Sequence, residues 1–212
     1  MQRYTTIALF SAIALSVGIL GVYGLTSISS TLKAQSEPQS IDSVPLLGHV
    51  TMVVTDPKGN ILEYHQGDNI VVRQAGDCLA DKIFGSSAKV NDCPSGGAAY
   101  TAIAIGNQSS PSSPVATQTA LDAEIGTTTT TNLQRQSATI TGTQSTGSAP
   151  ASVLLQATFT DSVSTSKTIT ESGIFNSTTT NAVGMFARQT TGSITLNQGD
   201  SLTVKWTVTI GT

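Results

Sequence analysis

This sequence has little with which to do chemistry. Its 212 residues include two His, two Cys, 10 Lys and Arg and 13 Asp and Glu; charged residues make up 11 % and aromatics 5 %. The net charge of −3 and pI near 5.2 argue against a nucleic-acid binder, whose affinity comes largely from clustered Lys and Arg. Disorder fits poorly too, because it needs high net charge together with low hydrophobicity, and the mean hydropathy here is +0.08.

The motifs of catalysis are missing as well. A hydrolytic triad needs a nucleophile, a base and an orienting group, and His49 and His65 are the only imidazoles. Both fall in strand-like hairpin positions, where a surface or edge histidine is the plainer reading. There is no Gly-x-Ser-x-Gly elbow, no glycine-rich phosphate loop and no His-Glu-x-x-His. Asp56, Asn60, Glu63 and Asp68 hint at calcium, but a turn that uses Asp and Asn for backbone hydrogen bonds explains them more simply. The expectation is a protein that is not an enzyme, with no cofactor and no metal.

What fills the sequence is hydroxyl. There are 33 Thr and 26 Ser, and with Val and Ile they favour strands. The N-terminus differs from the rest. After Arg3 no charge occurs until Lys33, and the apolar stretch between them is long enough for a spanning helix of about 20 residues. Residues 1–28 therefore read as a signal peptide or a retained membrane anchor, with Arg3 left inside and the rest exported to the cell surface or beyond. The cysteines agree with export. Cys78 and Cys93 are an even pair, which in an exported chain reads as one disulfide. Asn107-Gln108-Ser109 and Asn176-Ser177-Thr178 are sequons, so Asn107 and Asn176 are candidate glycan acceptors.

Residues 29–45 have the Ser, Gln and Pro composition of a linker. Residues 46–212 then read as one domain. Residues 49–55 and 61–65 form a hairpin across the turn 56–60. Residues 69–72 begin another strand, and residues 77–84 have the apolar spacing of a short helix, the only one expected in the body. Strands follow at 100–105, 135–143, 152–159, 168–175 and 184–188, with a Ser/Pro loop at 108–114. In the last strand Leu202, Val204, Trp206, Val208 and Ile210 alternate with polar residues, which sends one face into a core. The fold class is all-β, an antiparallel β-sandwich of jelly-roll or immunoglobulin-like type, with one short helix besides the N-terminal hydrophobic one.

An ordered set of segments carries a resemblance. Residues 53–60, 79–85, 103–107 and 119–125 are followed by Ile169-Thr170-Glu171-Ser172-Gly173-Ile174-Phe175-Asn176, by Met185-Phe186-Ala187-Arg188 and by residues 197–210. Together they resemble a β-rich domain of tailed-phage virion proteins, of the tail-fibre and tail-associated kind. The resemblance implies assembly and structure, and no catalytic residues. An export helix and a cysteine pair depart from that family and suggest the domain stands on a cell surface. The layout also looks like surface filaments built by donor-strand exchange, in which an exported sandwich lends an N-terminal strand to the next subunit. The linker would supply that strand through Ile41, Val44 and Leu46 or Leu47, and a plain tether is the alternative. The expected function is an exported structural subunit that self-associates into a filament or surface layer. A membrane-tethered binding or adhesion module and a virion structural protein are the alternatives. The last strand, guarded only by Lys205, is the expected open sheet edge.

Overall fold

A computed structural model describes residues 45–84, 98–126, 132–145 and 150–211. The expected export helix, Ile41, Val44 and Cys93 lie outside the described residues. Among the described residues the body is mostly β, with two five-stranded antiparallel sheets and one short helix. The first sheet has the order β2 (Ile61–Asp68), β1 (Leu46–Thr55), β10 (Ser201–Ile210), β7 (Ala151–Thr160), β6 (Thr139–Thr143). The second has the order β3 (Ile70–Val71), β9 (Met185–Leu196), β8 (Lys167–Phe175), β4 (Ala102–Gly106), β5 (Gln136–Ser137).

The hairpin β1–β2 closes where the sequence expects it. Asp56 Oδ1 accepts the backbone N–H groups of Lys58 and Asn60, both at 2.8 Å, and Gly59 takes a positive φ of 85° that a side chain would resist. The alternation in β10 also holds: Leu202, Val204, Trp206 and Val208 are buried, while Ile210 is half out at the strand's end. These residues meet Val50, Met52 and Val54 of β1, Leu155 and Phe159 of β7, and Ile103, Ile105, Ile169, Ile174 and Ile194 of the other sheet in one core. Two sheets sharing a core between them is the arrangement of a β-sandwich.

The two outer faces differ. A second apolar cluster lies on the outer face of the second sheet, where Val72, Ala75 and Leu121 cover Ala102, Ala104, Phe175 and Met185. Helix α1 (Arg73–Phe84) supplies Ala75, and the long connection after β4 supplies Leu121. β4 is therefore buried on both faces, which is why its sequence is a continuous apolar run instead of an alternation. Among the described residues, the first sheet has no such cover. On its outer face Thr158 meets Thr203 at 3.2 Å and Thr160 meets Ser201 at 2.9 Å, hydroxyl to hydroxyl. Much of the sequence's Thr and Ser is used this way, as β-branched and polar residues on a solvated pleat.

Three expectations need correction. β10 is no edge: it pairs with β1 on one side and β7 on the other, over ten residues each. The segment 135–143 is not one strand. Ala138 donates its N–H to Thr101 O at 2.7 Å, and the chain passes there from the second sheet to the first. The segment 119–125, whose sequence suits a turn of helix or an edge strand, is neither, apart from a single bridge of Glu124 to Gly106.

Candidate functional site

The most concentrated chemistry in the molecule is a pair of buried ion clusters that sequence reasoning missed. β8 and β9 place Glu171 and Arg188 on the outer face of the second sheet, both fully buried. Arg188 Nε and Nη2 donate to Glu171 Oε2 at 2.9 and 2.7 Å. Nη2 also donates to Asp122 Oδ2 at 2.8 Å, and Nη1 donates to the carbonyl and hydroxyl oxygens of Ser112, each at 3.2 Å. Glu171 in turn accepts the backbone N–H groups of Asp122 and Ala123 at 3.1 and 2.9 Å. Gly106 makes this possible, because a Cβ there would come within 2.5 Å of Glu171 Cγ.

The second cluster repeats the device. Arg135 grips Glu124 through Nε and Nη2 at 2.8 and 2.7 Å, a bidentate pair. Nη1 donates to Ser177 O at 3.0 Å, and the guanidinium lies 3.7 Å from the centre of the Phe175 ring. Each arginine thus ties a loop to the sheet: Arg188 holds the connection 107–124, and Arg135 holds the turn between β8 and β9. Their bonds run from sheet to loop, and what they do in this structure is fix loops.

Asp122 is the cluster's titrating member. Partial burial pushes its carboxyl up, but the Ser112 hydrogen bonds and Arg188 outweigh this, and the net shift is below the ordinary carboxylate range. Asp56 is lowered as well, chiefly by the Asn60 amide at 2.8 Å. The Asp56 carboxylate serves its own turn, Asp68 pairs with His49 at 2.9 Å and Glu63 with His65 at 3.3 Å. The four residues that hinted at calcium go to three separate partners. Among the described residues, no group of three or more His, Cys, Asp or Glu is placed to hold a metal.

The other expected site residues fall as follows. Cys78 is buried and disulfide-bonded, and the chain's one other cysteine is Cys93. Asn107 is exposed just after β4. Asn176 is only 4 % exposed and packs against Gly184, so a glycan on its amide is incompatible with this fold. Leu46 and Leu47 are not part of a loose leader: they belong to β1 and pair with Ile210 and Thr209 of the same chain. Among the described residues, no helix is long and apolar enough to cross a membrane.

The remaining feature is the sheet rim. β3 and β5 are two residues each, and short edges are self-limiting. β2 carries Glu63, His65 and Asp68. β6 reads Thr-Ile-Thr-Gly-Thr, all five residues exposed; among the described residues β7 is its one neighbour, and it has neither charge nor proline to block another strand.

Tyr100, next to β4, has a buried hydroxyl with no hydrogen-bond partner, and burial, aided by the charge of Asp77, pushes its phenol up to about 12. The fold is therefore indifferent to this group below about pH 10 and loses stability as pH rises through its folded value. Absorbance titration of the folded protein is expected to show a late phenolate step near pH 12. That step should vanish in Tyr100→Phe.

No protein-family model matches this chain, and neither a curated protein nor a solved structure does.

Proposed function

We propose that this protein is a non-catalytic, exported structural subunit that assembles with copies of itself on the cell surface, as a filament or layer, by adding a strand to an open sheet edge. The observation that carries the reading is β6. A five-residue edge strand with no charge and no proline presents unpaired main-chain groups, and strand addition uses such groups for affinity. The scarcity of charge, the absence of catalytic motifs and the two arginine clips agree with a body built to be rigid. Between the two sandwich types, the jelly-roll is favoured. The immunoglobulin order puts the first and last strands in different sheets, whereas β1 and β10 are neighbours here. The resemblance to tailed-phage tail domains points to assembly in the same way.

A second reading has its own observation. Ile61, Leu62 and Tyr64 are all at least half exposed along β2, an apolar patch with an aromatic of the kind binding surfaces use. It would suit a membrane-tethered binding module.

Immunogold electron microscopy of native cells, with antibody against residues 46–212, separates the two. Label running along filaments or a lattice is the expected result. Label scattered singly over the envelope would sink assembly and favour the tethered module. The variant Thr141→Lys tests the edge itself. Lysine is a natural guard on edge strands and is tolerated there, so stability should change by no more than about 0.5 kcal/mol. Filaments or lattice should be lost. Assembly at the native level in a folded Thr141→Lys protein would remove β6 from the reading.

A further inference from the structure

We infer that β6 pairs with β6 of a second copy of this chain, antiparallel, about a two-fold axis at Thr141, with each Ile140 seated over the other copy's Gly142. The inference rests on the assembly reading above and names the partner of its edge strand. β6 meets β7 in the register Ile140–Leu155 and Gly142–Val153. Leu155 belongs to the core, so Ile140 and Gly142 lie on the core-facing side of the first sheet. Thr139, Thr141 and Thr143 lie on the outer side. Ile140 nevertheless remains 45 % exposed. Two residues on, where a Gly142 side chain would begin, no described atom stands within 4 Å. The cross-strand neighbour Val153, with Leu155, is a wall of an apolar cleft of about 150 Å³ between the sheets. One side of one strand thus carries an uncovered aliphatic side chain and, beside an apolar wall, an empty place.

Symmetry fixes the register. When two copies of one strand pair antiparallel about a two-fold, one residue faces its own copy. With Thr141 at that point all five residues are paired: Thr139 faces Thr143, and Ile140 faces Gly142. Each isoleucine then takes the place that the other copy's glycine leaves open, on the side of Val153 and Leu155. The two isoleucines are diagonal neighbours across the axis. On the outer side, Thr141 meets Thr141 and Thr139 meets Thr143. The first sheet already uses such hydroxyl pairs between its own strands, Thr158 with Thr203 and Thr160 with Ser201. An axis at Ile140 or at Gly142 pairs only three residues of each β6.

Other strands fit less well. A parallel β6–β6 contact turns the two core-facing sides to opposite faces and sets each Ile140 against threonine. Against β2, a head-to-tail contact that keeps the faces in line sets Ile140 or Gly142 beside Glu63 or His65. Those two lie on the core-facing side of β2, opposite Val54 and Met52. A two-fold contact closes after two copies, so the pair is the unit that a filament or layer repeats.

Full-length chains carrying Thr139→Cys, Thr141→Cys or Thr143→Cys test the register by mild oxidation and non-reducing gels; Cys78 is already disulfide-bonded. Trapping suits a contact of about five residues a side, small against the roughly 20–30 of a standard interface. Facing residues have Cα atoms about 4.5–5.5 Å apart, within disulfide reach, whereas Thr139 stands roughly 13 Å along the strand from its own copy. Thr141→Cys should therefore dimerise by itself. Thr139→Cys and Thr143→Cys should dimerise when mixed, at least about tenfold above either alone. A charge swap is the second measurement. Thr141→Lys and Thr141→Glu should each block assembly, because like charges face each other at the axis, and an equal mixture of the two should restore it. Unmodified protein is followed in parallel by light scattering. If it assembles but Thr141→Cys gives no dimer, or Thr139→Cys links to itself as readily as to Thr143→Cys, the two-fold pairing is overturned and the assembly reading survives. A charge-swap mixture as unassembled as either variant alone overturns the pairing in the same way. If unmodified protein stays monomeric, the assembly reading falls and takes this one with it.

Discussion

Replacing Arg188 by alanine should destabilise the body by about 3–5 kcal/mol, the range for removing one partner of a buried ion pair. The size follows from what is left behind. Arg188 and Glu171 are both fully buried, and Arg188 is the cation that pairs with both Glu171 and Asp122. Without the guanidinium, Glu171 keeps two backbone N–H donors but no counter-charge, in a place water does not reach. The Ser112 carbonyl also loses the Arg188 donor and its hydroxyl oxygen keeps only Gln118, so the connection 107–124 loosens from the sheet. With total stability of about 5–15 kcal/mol for a typical domain, such a loss is about a fifth of it or more. Urea denaturation followed by circular dichroism measures it. Arg188→Lys should recover little, because one ammonium cannot replace five donors in a fixed plane.

The pH dependence separates charge from packing. In the native chain Asp122 is held below its ordinary value, so its contribution is present above about 3.8 and is lost as pH falls through the lower folded value. In Arg188→Ala that contribution is smaller, because the Arg188 charge and hydrogen bond are among the causes that lower Asp122. The gap between native and variant should therefore narrow as pH falls below about 3.8, through the lowered native value. A gap that stays constant would mean that lost packing, not an uncompensated charge, is responsible.

These clusters also show where sequence reasoning stops. The hairpin β1–β2 and the last strand were legible because their signals are local: a Pro-Lys-Gly turn and a strict alternation of period two. Ordering the strands is non-local, and for that reason β10 reads as a poorly guarded edge when it is in fact central. Helix α1 begins at Arg73, four residues before its apolar spacing starts, since Gln74 and Gly76 carry no periodic signal and Ala75 is too small to stand out. The break at Ala138 leaves no mark, because Thr and Ser suit either sheet. The ionic partners stand far apart in sequence, Glu171 being 17 residues from Arg188 and Asp122 66. A signal did exist. In a chain with 11 % charge, a lone Glu inside Ile169-Thr170-Glu171-Ser172-Gly173-Ile174 and a lone Arg after Met185-Phe186-Ala187 sit where solvated charges do not belong. A charge in an otherwise buried strand implies a partner, even when the sequence does not say which. Asn176 shows the converse limit: a sequon is a three-residue pattern and carries no information about burial.

Trp206→Ala should cost about as much as the loss of Arg188, roughly 3–5 kcal/mol, but by a different mechanism and without the pH signature. Trp206 is the only tryptophan, is fully buried, and sits mid-strand between Val50 of β1 and Leu155 of β7. Its indole N–H crosses the core to donate to Ser172 Oγ of the opposite sheet at 3.3 Å. Ser172 passes its own proton to Ala104 O at 2.9 Å, so the serine remains a satisfied donor after the change and the cost is the cavity. Because the variant has no tryptophan, circular dichroism has to replace fluorescence as the probe. Trp206→Phe keeps most of the volume and should lose less than half as much. A cost under about 1 kcal/mol for Trp206→Ala would mean the sheets close over the gap, which a rigid, clipped second sheet opposes. Complete burial also removes Trp206 from any contact between copies. At concentrations where Trp206→Phe is folded, it should assemble as the native chain does, whereas Thr141→Lys, on the rim, should not.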